Sequence, residues 1–315
     1  MWIAMSKTKT PKNFKPNLPE PLPNLPFIDV HCHLPLDFSP KDALPTPDTQ
    51  YVEFIQLGGL YLISSTIDWK SLTEIREFAS HHEFMGFTCG WAPQTVTYTS
   101  PEAYKKEWTQ WFEYVTTHPE DFLAIGEIGL DFHHAKKLAA REKQVQEFRK
   151  VLQIALDLRK PVVLHVRNAG TNEIDLQNKA HPYNLPDGAN QVILEILAEF
   201  HIKSSNVMWH CFSGPAPYGV QLSRQGYWLS VPSSAWGFPR WVRNTKEVPI
   251  DHLLTETDAS FQHPWRPGPE NVPVNVRYSI AAIAYTHQIP QEDVAHRTVQ
   301  NAINFFRLET KVRKI

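Results

Sequence analysis

The sequence predicts an α/β fold, a (β/α)8 TIM barrel of the metal-dependent hydrolase type, on three observations. Eight short apolar, β-prone runs alternate with helical patterns along the chain. Histidines and carboxylates recur where those runs end, and in a barrel the C-terminal strand ends converge on one mouth. The length, 315 residues, suits one such barrel, and no linker cuts the chain in two.

The elements follow in order. The first strand is Phe27-Ile28-Asp29-Val30-His31-Cys32-His33-Leu34. Side chains alternate along a strand, so His31 and His33 face one way and Cys32 the other. Pro35 to Pro47 is proline-rich and reads as a loop. Gly59 to Ser65 is the second strand, followed by a helix through Leu72, Ile75, Phe78 and Ala79, at helical spacing. Glu83 to Gly90 is the third strand, and Pro101 to His118 a helix burying Trp108, Trp111, Phe112 and Val115. Phe122 to Glu127 is the fourth strand; the helix from Ala139 to Leu158 carries Val145, Phe148, Leu152, Ala155 and Leu156 on one face. Pro161 to Val166 is the fifth strand. A polar insertion, Asn168 to Asn190, is expected to overhang the mouth, and a helix spans Val192 to Phe200. Strands six to eight are Asn206 to His210, Tyr227 to Val231 and Asp251 to Thr257; helices Val274 to His287 and Gln291 to Arg307 end the pattern.

The barrel is thus expected over residues 27–308, with a short C-terminal tail at 309–315. Residues 1–26 intersperse lysines with prolines, lack the apolar segment of a signal peptide, and read as a solvated, disordered leader. Nothing approaches the ~18 consecutive apolar residues of a membrane span. A formal net charge of -2 excludes a globally basic DNA-binding surface, so contact with phosphates must be local. Three cysteines, Cys32, Cys89 and Cys211, are odd in number and too sparse for a disulfide framework, which points to a reducing, cytoplasmic compartment.

His31 and His33 end the first strand, Glu127 the fourth, His165 the fifth and His210 the sixth, and Asp258 follows the eighth. Each alone has an ordinary alternative: a satisfied polar residue beneath a loop, an ion-paired carboxylate, a turn cap. Together, at the ends of five strands, they form a ligand set of imidazoles and carboxylates suited to Zn or Mn, with Mg on the carboxylate side. Six ligands exceed one tetrahedral site and point to two divalent ions, with Glu127 as the natural bridge. Paired ions ~3.5–4 Å apart clamp attacking and leaving oxygens of a displacement.

Five blocks carry a resemblance: Asp29-Val30-His31-Cys32-His33-Leu34, Gly126-Glu127-Ile128-Gly129-Leu130-Asp131, Pro161-Val162-Val163-Leu164-His165-Val166-Arg167, His210-Cys211-Phe212-Ser213-Gly214 and Glu256-Thr257-Asp258. In this order, and with Asn301-Ala302-Ile303-Asn304-Phe305-Phe306 as a closing helix, the chain from Phe27 to Leu308 resembles the TatD family of metal-dependent deoxyribonucleases, a branch of the amidohydrolase-like barrels. The resemblance implies two divalent metals on His31, His33, Glu127, His165, His210 and Asp258. It also implies phosphodiester hydrolysis, as a Mg-stimulated DNase with 3'→5' exonuclease character. Two positions depart from the family pattern. Ala92, in Gly90-Trp91-Ala92-Pro93, stands where the family carries histidine, and Asn168 stands where it tends to carry an acidic residue.

The expected activity is hydrolysis of single-stranded or frayed DNA. Asp258 and Glu127 are the catalytic carboxylates, Asp258 taking the proton of the attacking water. Arg167 would fork the phosphate, with an ion pair to Asp131 as its alternative. His133 and His134 would protonate the leaving group or support a ligand. Trp91, Trp236 and Trp265 sit in predicted mouth loops, where they stack bases or, more simply, pack the rim. A barrel hydrolase of esters, amides or lactones with the same metals is the rival enzyme reading, and a non-catalytic scaffold the rival from another class. Neither a membrane nor an obligate protein partner is implied.

Overall fold

Runs rich in Val, Ile and Leu become eight strands in the computed structural model of the protein, which describes residues 18–36, 45–169, 183, 188–238, 245–265 and 270–314. They are β1 Phe27–Cys32, β2 Gly59–Ser65, β3 Met85–Thr88, β4 Ile125–Asp131, β5 Val162–Arg167, β6 Val207–Trp209, β7 Trp228–Pro232 and β8 Leu253–Glu256. They form two parallel ladders, β1-β2-β3 and β4-β5-β6-β7-β8. Two seams join the ladders. Between β3 and β4, Cys89 pairs with Ile125, the Cys89 N–H donating to the Ala124 carbonyl and the Gly126 N–H to the Cys89 carbonyl, both at 3.0 Å. Between β8 and β1, the Asp258 N–H donates to the His31 carbonyl at 2.8 Å and the His33 N–H to the Ala259 carbonyl at 2.7 Å. The architecture is a (β/α)8 barrel.

The alternation of each strand sorts its residues between two cores. Ile28, Val30, Tyr61, Ile63, Val163, Met208 and Leu254 pack in one cluster with Val299, Ala302, Phe305 and Phe306 of the last helix. Phe27, Cys32, Leu62, Val162, Leu164, Val207, Trp209, Leu229 and Leu253 face the surrounding helices. Besides an offset at the start of β2, where Phe27 and Ile28 oppose Gly59 and Tyr61, two bulges shift this phase. Asp29 and Cys32 of β1 oppose Leu62 and Ser64 of β2, so β1 carries one extra residue there. Below the bulge Ile28 and Val30 join the interior cluster; above it His31 and His33 join the mouth, and Cys32 packs outward. The second bulge lies in β4, where Ile125 and Ile128 oppose Val162 and Leu164. It brackets Glu127. Strand four therefore starts later and runs further than expected, to Asp131, and Glu127 lies within it rather than at its end.

Nine helices are described: α1 Pro47–Gln56, α2 Trp69–Ser80, α3 Pro93–Tyr98, α4 Pro101–Thr117, α5 Leu138–Asp157, α6 Gly188–Glu199, α7 Ala216–Arg224, α8 Val276–His287 and α9 Gln291–Phe306. Two of the periodic ones, α2 and α4, start at side-chain caps. Asp68 and Ser71 form a capping box on α2, and Ser100 accepts from the Ala103 N–H on α4. On α4 the buried face is Trp111, Tyr114 and Val115; Phe112, one residue off that stripe, is 43% exposed. Helices α1, α3 and α7 fall in stretches to which the sequence reading assigns no element.

Residues 18–26, assigned to the leader, lie against the barrel where they are described. The Trp236 indole donates to the Pro19 carbonyl at 3.1 Å, and Gln291 accepts from the Leu22 N–H at 2.9 Å. At the other end the Arg313 guanidinium donates to the Ile55 carbonyl at 2.7 Å. Most of the Asn168–Asn190 insertion, and residues 1–17, lie outside the described residues. The insertion's base is closed by the Asn190 N–H on Asn168 Oδ1 at 3.2 Å.

Candidate metal centre

All six expected ligands meet at the mouth. β1 supplies His31 and, just past its end, His33; β4 supplies Glu127; β5 supplies His165; His210 follows β6 and Asp258 follows β8. Two groups of ligand atoms, each within 4.8 Å, form around His31: one with Glu127 and His210, the other with His33 and Asp258. Within them His31 Nε2 lies 3.5 Å from Glu127 Oε2 and 3.7 Å from Asp258 Oδ1, and His33 Nε2 lies 3.4 Å from Asp258 Oδ1. The His31 and His210 rings stack at 3.8 Å.

Local backbone aims these groups. Asp258 adopts a left-handed conformation, φ 55°, which a short polar side chain tolerates and which turns the chain sharply after β8. Gly129 has φ 138°, and a Cβ there would collide with the His165 carbonyl, so only glycine lets β4 and β5 approach beside the site.

Ring orientation is fixed from behind. The His33 Nδ1–H donates to the Ser65 carbonyl at 2.9 Å, which leaves Nε2 with its lone pair toward the mouth. His31 Nδ1 pairs with Ser65 Oγ at 2.9 Å, while its Nε2 is fully buried and has no hydrogen-bond partner among the described residues. Burial and the neighbouring His210 charge lower the His31 pKa, favouring the neutral ring. A buried lone pair beside two carboxylates and a histidine is a donor arrangement that suits a cation.

His165 is held differently. Its Nδ1 meets Glu127 Oε1 at 2.6 Å and its Nε2 meets Asp131 Oδ2 at 3.0 Å. Burial opposes its charge, but the two carboxylates outweigh burial and push its pKa up to about 10. Burial likewise opposes ionisation of Glu127, and the charge and hydrogen bond of His165, with His31 and His210, hold it well below the usual range. His210 is pushed up to about 9, burial being outweighed by Glu256, then Glu127 and Asp258. Asp258 is lowered against its burial by His33, His210 and His31. Four carboxylates, Glu127, Asp131, Glu256 and Asp258, are buried around these rings. Charges so deep require cationic partners, and imidazole with carboxylate is a donor set for divalent ions.

Asp131 and Glu256 were not among the expected site residues. Asp131 orients His165 and accepts from the Gln94 amide at 3.1 Å and the His134 N–H at 2.9 Å. Glu256 Oε2 lies 3.4 Å from His210 Nδ1 and accepts from Ser230 Oγ at 2.6 Å. Carboxylates behind ligand histidines tune their basicity. Glu256→Gln is therefore expected to weaken metal binding by about 10–100-fold, read by competition with a chelating dye; unchanged affinity would contradict the role. Both residues lie inside the motif blocks, but nothing in spacing shows that they stand behind His165 and His210.

The remaining expectations divide. Arg167, exposed at the end of β5, makes no ion pair with Asp131, whose oxygens are taken by His165, Gln94 and His134. His133 is half-buried beside His134, and His134 Nδ1 pairs with the Tyr98 hydroxyl at 2.8 Å. Ala92 is buried and precedes α3, which places the Gln94 amide 3.2 Å from His165 Nε2. Trp91 packs on Tyr104, Trp108 and Trp111, and Trp236 on Trp265 and Tyr278, the rim-packing alternative.

Comparison with known proteins agrees with this geometry. The model of the family described as TatD related DNase matches residues 28–307. A Bacillus subtilis protein, named uncharacterized metal-dependent hydrolase YabD, is 27% identical over 294 residues, covering 90% of this chain and 99% of its own. Human deoxyribonuclease TATDN3 is 30% identical over 200 residues, 61% of this chain and 62% of its own. The crystal structure of YJJV, a TatD homologue from Escherichia coli, covers 89% of this chain and 98% of its own at a TM-score of 0.70 and 20% identity. A TatD family hydrolase from Entamoeba histolytica covers 90% and 99% at a TM-score of 0.71 and 16% identity; these two share the fold. The chain belongs to the TatD-related DNase family of metal-dependent hydrolases.

Proposed function

We propose that the protein is a deoxyribonuclease that removes nucleotides 3'→5' from single-stranded or frayed DNA. Two divalent ions, Mg, Mn or Zn, would be held by His31, His33, Glu127, His165, His210 and Asp258. The observation that carries this reading is the pair of ligand groups sharing His31, in a mouth where buried carboxylates have no lysine or arginine among their described ion-pair partners. The ions, when bound, supply phosphate charge neutralisation and lower the pKa of water.

The chain's own residues do the rest. Asp258 is open to the mouth, its side chain 12% exposed, and its second carboxylate oxygen can take the proton of the attacking water. Glu127, gripped by His165, holds the two ligand groups in register. The Arg167 guanidinium, at the rim and on the same face of β5 as His165, matches two phosphate oxygens. His133 supplies a proton to the leaving oxygen.

Ala92 favours the second reading, hydrolysis of a non-nucleic-acid ester, amide or lactone, because it places a methyl group where the family resemblance expects an imidazole near the phosphate. A substrate panel decides between them. Chelator-stripped protein, with Mg, Mn or Zn added back, is expected to hydrolyse single-stranded DNA in preference to small carboxylic esters, lactones and amides. Preference for any of those three, with DNA intact, would overturn the nuclease reading.

A further inference from the structure

The two tryptophans nearest the mouth by sequence, Trp91 and Trp236, are buried, yet two other aromatic side chains stand exposed there. Phe261 is 46% exposed and Tyr98 is 65% exposed. Phe261 follows β8, its N–H donating to the Asp258 carbonyl at 2.7 Å, and its ring meets that of His33 edge-on at 6.0 Å. Tyr98 ends α3; its hydroxyl pairs with His134 Nδ1 at 2.8 Å, and the two rings meet edge-on at 5.8 Å. His134 in turn follows β4 and bonds Asp131, which holds His165. In an eight-strand ring, β8 and β4 lie four strands apart, so the two aromatics stand across the mouth from each other with the ligand cluster between them.

A single exposed aromatic is ordinary. Two, each pinned by contacts to a residue of the site and placed on opposite sides of it, are not explained by packing. We infer that Phe261 and Tyr98 are base-stacking platforms, one for each base flanking the scissile phosphate of a single strand. The inference rests on the DNA reading above and deepens it. A phosphate lying over the cluster leaves its two nucleosides pointing outward along the mouth's diameter, and a π-face beneath each holds them whatever the base. A base still paired in a duplex is stacked on its neighbours and cannot lie on either ring, so the arrangement selects single strands and frayed ends. Phe261 has no polar handle and offers area alone. Tyr98 offers its ring while its hydroxyl is occupied by His134.

The test uses the metal-loaded full-length protein and an eight-nucleotide single strand with phosphorothioate at its last linkages. 2-Aminopurine is placed at the terminal or the penultimate 3' position. Stacking quenches its fluorescence. Binding to the parent protein is expected to quench both positions, Phe261→Ala to relieve quenching at one, and Tyr98→Ala at the other. Stacking is worth enough that each alanine variant should bind about tenfold more weakly. In a paired experiment, removing the base that Phe261 holds should weaken binding to the parent about tenfold but to Phe261→Ala less than about twofold, because the contact is already gone. Phe261→Trp, which keeps a π-face, should restore quenching, whereas Phe261→Leu, which keeps only bulk, should not. Quenching in the parent that neither alanine variant alters overturns the stacking assignment and leaves the nuclease reading standing. A parent protein that neither binds nor cuts single-stranded DNA overturns that reading and this inference with it.

Discussion

Replacing Asp258 by asparagine is expected to lower DNA hydrolysis by about 10³-fold while the protein folds as before. The amide keeps the shape, so the left-handed turn after β8 and the backbone bond from the Asp258 N–H to the His31 carbonyl persist. Two things are lost. Asparagine cannot accept the proton of the attacking water, and it withdraws a negative charge from the group formed with His31 and His33. Single-turnover kinetics at saturating metal separate the two: a deficit that persists when the metal concentration is raised is the proton-transfer deficit. Activity within a few-fold of the parent would remove Asp258 from the mechanism.

Glu127→Gln is expected to be worse. Glu127 lies within 4 Å of all four ligand histidines, at 3.5 Å from His31, 3.9 Å from His33, 2.6 Å from His165 and 3.9 Å from His210. Breaking a buried ion pair by removing one partner costs about 3–5 kcal/mol, because the remaining charge stays buried. Here that charge is His165, left with Asp131 as its carboxylate. The variant should therefore unfold at lower denaturant in the presence of chelator, retain less metal after dialysis, and turn over DNA at least about 10³-fold more slowly. Metal analysis alongside urea titration checks both effects. Parent-like metal content and rate together would show that Glu127 does not join the two groups.

The barrel was legible because its strands are short apolar runs punctuated by ligand-type residues, and β2 and β5 fall where periodicity places them. The helices that escaped, α1, α3 and α7, are the shortest described, at 10, 6 and 9 residues. Helix α1 follows a proline-rich stretch, and its signature was the Thr46 cap with Pro47 at the first position rather than an apolar stripe. Helix α3 is six residues long and rich in threonine; tertiary contacts hold it, the Gln144 amide donating to the Pro93 carbonyl and to Thr97 Oγ1. The six mouth residues were legible because they lie in or just after apolar strand-forming runs, although Glu127 and His165 sit within β4 and β5 rather than at their ends. What stands behind them was not. Asp131 reaches His165 because β4 gains a residue at its bulge and pairs Gly129 with His165, a register no single sequence displays. Phe261 and Tyr98 carry no signal of their own in the sequence, whereas the tryptophans that mark these loops turn inward to pack on one another.

The most direct test of the central claim is to incubate chelator-stripped protein with end-labelled single-stranded DNA, with and without added Mg, Mn or Zn. The account predicts a ladder shortening from the 3' end only when metal is present, and no ladder from His165→Ala. DNA that stays intact while the protein holds about two ions per chain would contradict it.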